Sequence, residues 1–403
     1  MLRTCCGSAG VRRQGTVIKT VKATAPPVAD ASICVPQHWA TWNRNGERRF
    51  TVGVEDEAML LAQSDYSLAQ SGDAVLARLS GELRARTAPE THAAVIELTT
   101  GIHAQVGPAV AELGALRAQL TRELDTMGLH AASAGTYPLA GPDEIEVSRA
   151  ARYGLVAATM RGLARRQPTM ALHVHVGVPD PEDAITLLNA LREVVPASLA
   201  LSANSPFCDG RDTGFASART MIFQAFPRTG SPRRFESFAH YIDVVEPLVA
   251  SGALPGPSFL WWDVRLQPDL GTVEVRAMDA QSTARDAAPL VALVQSFAKL
   301  VLQDEFADGG TSPEVLAENR FLAARDGLEA RLIDPLTRRM VPTRMVIEAL
   351  VQRCLPHADA LGCGAEVEQV ERLAVANGAD RQRMRARAVG LEELVSILSK
   401  RFS

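Results

Sequence analysis

Four separated segments of this chain repeat one device: ionisable side chains at alternate positions of a strand-like run. In Phe50-Thr-Val-Gly-Val-Glu-Asp-Glu57, Phe50, Val52, Val54 and Asp56 alternate with Thr51, Gly53, Glu55 and Glu57, so Glu55 and Glu57 share one face. Residues 90–100 predict a second strand carrying Glu97. Residues 170–178 predict a third, with His173 and His175 together. Residues 271–279 predict a fourth, with Glu274 and Arg276 on one face and Val273 and Val275 on the other. An inward sheet face is normally apolar, because an ionised carboxylate is costly to remove from water unless a cation compensates it. A chain that charges one face of several strands either leaves that face in solvent or lines a cation site with it.

Between these strands the pattern predicts a helix from about Pro108 to Met127, stopped by Gly128, and a short strand over 129–136. Asp180, Pro181, Glu182 and Asp183 combine a cap, a first-turn proline and first-turn acids, and so begin a helix. Pro196 is expected to kink or divide it. Ser202 to Arg219 reads as a polar loop. Residues 261–265 and 271–279 read as strands around a turn at Pro268–Gly271, and the chain is mostly helical from about Asp286. Strict strand–helix alternation is absent, which points to an α+β fold with a largely antiparallel sheet.

Residues 1–48 lack a periodic apolar pattern and read as a poorly ordered extension, removable to about residue 45, with Trp39 and Trp42 able to dock onto the body. Residues 49–403 form a single domain. The net charge of −4 disfavours nucleic acid as a partner. No apolar run approaches the roughly 18 residues of a membrane span. The six cysteines, at 5, 6, 34, 208, 354 and 363, form no CxxC pair, which fits free thiols in a reducing, cytoplasmic setting. Cys5 and Cys6 read as incidental.

A sheet face presenting several Glu and a His can hold divalent metals, and hard oxygen ligands that also meet substrate phosphates suit Mg²⁺. Arg276 beside Glu274 supplies a fixed cation for phosphoryl charge. Taken singly, each motif also has an ordinary explanation: Glu-x-Glu as a solvated face, Glu-Val-Arg as a cross-strand ion pair. A hydrolase built on the His-x-His pair needs more ligands than the downstream His240 and His357 offer. A non-catalytic nucleotide-binding protein is the other alternative.

The order and wording of the motifs go further. Thr51-Val-Gly-Val-Glu-Asp-Glu57, His173-Val-His-Val-Gly177, the Ser202–Arg219 loop with Ser205-Pro and Asp212-Thr-Gly, and Gly271-Thr-Val-Glu-Val-Arg276 follow one another. Glu318-Asn-Arg320, Ala324-Arg-Asp-Gly-Leu328 and Ile333-Asp334 come after them. The chain resembles, over roughly residues 50 to 335, the type-2 glutamate–cysteine ligase family, the carboxylate–amine ligases of the glutamine synthetase-like superfamily. That resemblance implies a curved antiparallel sheet forming a bowl, flanked by helices, with a helical C-terminal third. It implies ATP at one end and Mg²⁺ (or Mn²⁺) between the phosphates and the sheet.

By the same resemblance Glu55, Glu57, Glu97, His173 and Glu274 hold metal. Arg276 and Glu97 are catalytic, and His175, Arg211 and Arg219 bind the nucleotide or clamp anions. The middle acid of the opening motif is Asp56, expected to point away from the metals with little consequence. The implied reaction joins a small-molecule carboxylate to an amine through an acyl phosphate, glutamate and cysteine being the family's label. It needs no Walker-type loop, and none is present. The resemblance leaves a homodimer open. Retention of Glu55, Glu57, His173, Glu274 and Arg276 together argues against a mere binder. Glu274→Gln is expected to reduce turnover with little loss of stability.

Overall fold

The computed structural model describes residues 38–44, 48–141, 145–303 and 310–403. Most of the expected N-terminal extension, with Cys5, Cys6 and Cys34, lies outside them. Seven strands make the main sheet: β1 (Val52–Ala62), β2 (Thr87–Pro89), β3 (Val95–Thr99), β4 (Leu129–Ala132), β5 (Ala171–Gly177), β6 (Val264–Gln267) and β7 (Thr272–Asp279). Their order is β6-β7-β5-β1-β3-β2, every pair is antiparallel, and β4 joins the far end of β1. The longer helices among the described residues are α1 (Val106–Asp125), α2 (Pro181–Ser202), α3 (Ala284–Gln303), α4 (Pro313–Asp326) and α5 (Thr343–Leu361).

Period-2 alternation gives the sheet two unlike faces. Val52, Val54, Leu172, Val174, Val176, Val273 and Val275 point one way, into the main core with residues of α2 and α3. The intervening side chains are the charged ones. Past Glu57 that same face turns apolar: Met59 and Leu61 pack with Tyr137, Met170 and Leu394, closing one end.

Asp180 caps α2 as expected, accepting from the Glu182 and Asp183 amides. Pro196 does not divide α2, which runs unbroken to Ser202. Burial of nearly every residue from Val195 onward outweighs the one backbone hydrogen bond that a proline removes. By length and apolar character α2 would pass for a membrane span, against the sequence expectation. However, 83% of its most apolar window is buried inside the protein, as in a core helix. The expected loop after α2 contains a two-residue hairpin, Phe207–Cys208 with Arg211–Asp212, and a helix over Ala218–Phe223.

Trp39 and Trp42 are buried in the main core. The Trp42 indole donates to the Val178 carbonyl at 2.8 Å and meets Phe238 edge-on at 5.7 Å. Gly271, at φ 63°, lies under this segment, and a Cβ there would stand 2.1 Å from the Asn43 carbonyl oxygen. The expectation that a deletion to residue 45 is harmless is therefore corrected, because it removes core. Trp42→Ala is expected to cost about 3–5 kcal/mol in urea denaturation. A change below about 1 kcal/mol would show that the segment is only draped on the body.

Candidate active site

Strand register assembles the site. Glu55 lies opposite His173, Glu57 opposite Glu97, His175 opposite Glu274, and Glu274 opposite Arg265. The sheet thus brings together the residues of four segments up to about 220 positions apart. Two three-residue groups can each surround a cation: Glu55, His173 and Glu274, and Glu57, Glu97 and His173, with candidate ligand atoms within 4.8 Å of one another.

His173 is shared and 1% exposed. Its Nδ1 lies 2.9 Å from Glu55 Oε2, and a carboxylate can only accept, so Nδ1 carries the proton. Nε2 then presents a lone pair, has no hydrogen-bond partner, and stands 3.6 Å from Glu57 Oε1. Burial, with Arg276 nearby, pulls the His173 pKa down to about 4, the neutral state a metal ligand requires. His175 behaves oppositely. Burial would lower it, but Glu55 and Glu274 more than compensate, and its pKa is raised. Its Nδ1 meets Thr272 Oγ1 at 3.0 Å and its Nε2 lies 3.2 Å from Glu55.

The carboxylates divide likewise. Burial would raise Glu55, yet His175 and His173 hold it well below the usual range. Glu274 is fully buried and held below its ordinary value by Arg265 and Arg276, against burial. Arg265 Nε and Gln267 Nε2 donate to its Oε2, at 3.0 and 2.6 Å, and Arg276 donates to Oε1. On the other side burial and Glu90 push Glu57 up to about 8. Burial, then Glu55 and Glu90, lift Glu97 well above its ordinary range. These closely set acids keep protons that a divalent cation would displace. Together with the unpartnered His173 Nε2, this donor set fits hard divalent cations.

Two cavities meet at Glu55. One, of about 210 Å³, is lined by Gly53, Gly101, Gly177, Val178, Leu270 and His175 and is largely apolar. The other, of about 260 Å³, is lined by Glu57, Glu90, Glu97, His173, Arg219 and Arg276, and walled by Arg152, Tyr153, Val156, Phe223, Phe226 and Trp261. Arg219 donates to the carbonyls of Ala277 and Arg276, which leaves its buried Nε without a partner. Arg276 Nε is likewise unpartnered. Two buried guanidinium N–H groups beside this cavity are therefore left without a partner.

Arg211 is not brought here. It sits exposed on the short hairpin and lines neither cavity, because the hairpin turns that position outward. Sequence reasoning missed Glu90, placed at the start of a strand expected over 90–100; that strand begins only at Val95, and Glu90 lies between β2 and β3. It missed Arg265 and Gln267 as partners of Glu274, although their alternation on β6 was a usable signal. It also underrated Asp56, which is fully buried and held by Arg117 through two hydrogen bonds of 2.9 and 2.8 Å.

A helix-backed antiparallel sheet with acids and histidines gathered on one face has the fold of the glutamine synthetase-like ligases. Its fold matches the solved glutamate–cysteine ligase of Francisella tularensis in complex with AMP (TM-score 0.64, 12% identity, 87% of this chain and 88% of that one). It also matches the bifunctional glutathione synthetase of Pasteurella multocida (TM-score 0.62, 14% identity, 87% of this chain and 51% of that one). A Rubrobacter xylanophilus protein with the provisional name glutamate–cysteine ligase 2-3 is 42% identical over 354 residues, covering 87% of this chain and 96% of its own. One of Thermobifida fusca, provisionally glutamate–cysteine ligase 2, is 35% identical over 369 residues, covering 89% and 92%. The profile of glutamate-cysteine ligase family 2 matches residues 51–396, and the chain belongs to that family.

Proposed function

We propose that the protein is an ATP-dependent carboxylate–amine ligase that uses Mg²⁺ or Mn²⁺ and forms an amide through an acyl phosphate, with glutamate and cysteine as the first substrates to try. The observation that carries this is the pair of cation clusters sharing His173, with the free Nε groups of Arg219 and Arg276 lining the same cavity. The apolar cavity accommodates the nucleoside end of ATP, with His175 at the phosphate side. The acidic cavity accommodates the carboxylate and amine substrates. His173 Nε2 would join Glu57 and Glu97 in holding one metal, and Glu55, oriented by the His173 Nδ1–H, would hold another with Glu274. Bound there, the metals would neutralise charge on the phosphate oxygens.

The carboxylate oxygen attacks the γ-phosphorus, and the bond to the β,γ-bridging oxygen breaks to release ADP. The amine nitrogen then attacks the acyl carbon, phosphate leaves, and the nitrogen gives up a proton to become the amide. Arg276 meets charge on the transferring group, and Arg219 holds an anionic oxygen beside it. Three described cysteines, 208, 354 and 363, are buried free thiols, in keeping with work in a reducing compartment such as the cytoplasm. An ADP-release screen of amino acids and amines, followed by product mass, tests the reading. Phosphate release without an amide product would overturn it.

Metal dependence follows from the oxygen-rich donor set. Chelation should abolish ADP release, and Mg²⁺ or Mn²⁺ should restore it. Tight stoichiometric zinc, with activity indifferent to Mg²⁺, would contradict the assignment. Glu57 has a raised pKa, so metal-free folded protein keeps a proton that the unfolded chain releases in the ordinary carboxylate range. Metal-free stability should fall as pH rises toward about 8, while apparent metal affinity rises over the same interval.

A further inference from the structure

We infer that His92 receives the amine substrate, its unpartnered Nε2 accepting a hydrogen bond from the nucleophile's N–H inside the acidic cavity. The inference rests on the ligase reading and deepens it. His92 lines that cavity, is only 7% exposed, and has no hydrogen-bond partner at Nε2. The ring's other polar contact is the Ala164 carbonyl, which can only accept. With Nε2 unpartnered, Nδ1 is the nitrogen left to meet Ala164, so we assign the proton to Nδ1 and the lone pair to Nε2. Burial keeps the ring neutral by drawing the pKa down to about 4. The His92 backbone is pinned by its bridge to Val147 and the Ala93 amide by the Glu146 carbonyl, so the ring is presented from a fixed base.

Most other acceptors in the cavity are engaged: Glu90 Oε2 takes the Thr91 amide at 2.9 Å and Glu55 meets both histidines. Glu57 and Glu97 belong to a cation cluster, and Glu57 Oε2 already takes the Ala171 amide at 2.7 Å. A neutral imidazole is suited to an amine, since it offers a lone pair without binding the substrate's nitrogen as an ion pair. The wall of Val156, Phe223, Phe226 and Trp261 adds a second restriction. The amine that fits presents a hydrocarbon or thiol side chain to that wall and brings no second cationic group, which Arg152 would repel.

Two substitutions separate this role from a structural one. His92→Asn keeps a donor near the Nδ1 position for Ala164 and deletes the acceptor. His92→Gln places an amide oxygen near the Nε2 position and gives up the Ala164 contact. With ATP, L-glutamate, and L-cysteine or L-2-aminobutyrate, His92→Asn should raise the amine KM about ten- to a hundredfold. It should leave the KM for ATP and glutamate within about twofold, and also the rate of hydroxamate formation with hydroxylamine, which needs no pocket. His92→Gln should restore the amine KM to within about threefold. Thermal melts establish that both variants are folded.

A normal Asn variant with an impaired Gln variant would overturn the inference in favour of a structural bond to Ala164. So would equal shifts in all three KM values. If the wild type makes hydroxamate yet turns over neither amine, the substrate class is wrong. If it makes neither ADP nor hydroxamate with glutamate, the ligase reading falls first and this inference with it.

Discussion

Arg276→Lys is expected to lower kcat by about 10²–10³ while raising the KM for ATP far less, because lysine cannot reproduce a planar fork aimed at charge that develops during phosphoryl transfer. The geometry makes this a sharp test. Arg276 is held above its ordinary pKa because Glu274, Glu55 and Glu57 outweigh its burial, and one of its N–H groups has no hydrogen-bond partner. Glu274→Gln should also abolish turnover, but the sequence-level expectation of little stability loss is corrected. Glu274 compensates both Arg265 and Arg276 in a fully buried position, and its neutralisation leaves two guanidinium groups underpaired. A destabilisation of about 3–5 kcal/mol should accompany the kinetic loss. Steady-state kinetics and thermal melts on both variants decide the matter. Near-normal turnover by Arg276→Lys would mean that β7 does not carry phosphoryl transfer.

Arg117→Met is expected to cost about 3–5 kcal/mol. Arg117 and Asp56 are both fully buried. The guanidinium also donates to the Gln281 carbonyl at 2.9 Å and stacks 4.8 Å from the Phe402 ring. Methionine would leave the Asp56 carboxylate buried without its cation. The paired replacement Asp56→Leu with Arg117→Met should recover much of the loss, since it removes both charges at once. Urea denaturation of the two single variants and the double variant measures the coupling. Single variants within about 1 kcal/mol of wild type would show that water reaches this pair.

Much of the site was legible before folding because a strand forces every second side chain to one face. Glu55 with Glu57, His173 with His175, and Glu274 with Arg276 could each be paired from spacing alone. The middle residue shows the limit of that logic. Alternation says that Asp56 points away from Glu55, and it does. It cannot say that a helix fifty residues on supplies Arg117 to meet it. Arg211 failed for the opposite reason: a resemblance in a loop carries no periodicity, and a two-residue hairpin was enough to turn the side chain outward.

By itself the sequence determined the two-faced strands, the capped start of α2, and the identity of the acids, histidines and arginines that could hold cations and phosphates. These are local properties, set by dihedral preference and side-chain chemistry. Only the tertiary structure decided that Glu57 faces Glu97 and Glu55 faces His173, that Trp39 and Trp42 belong to the core, and that Glu90 and His92 join the cavity. Register and cavity walls depend on contacts between segments far apart in the chain. The packing that completes the site also sets its charge states: burial leaves His173 neutral, while Glu55 and Glu274 outweigh burial at the neighbouring His175 and favour its proton.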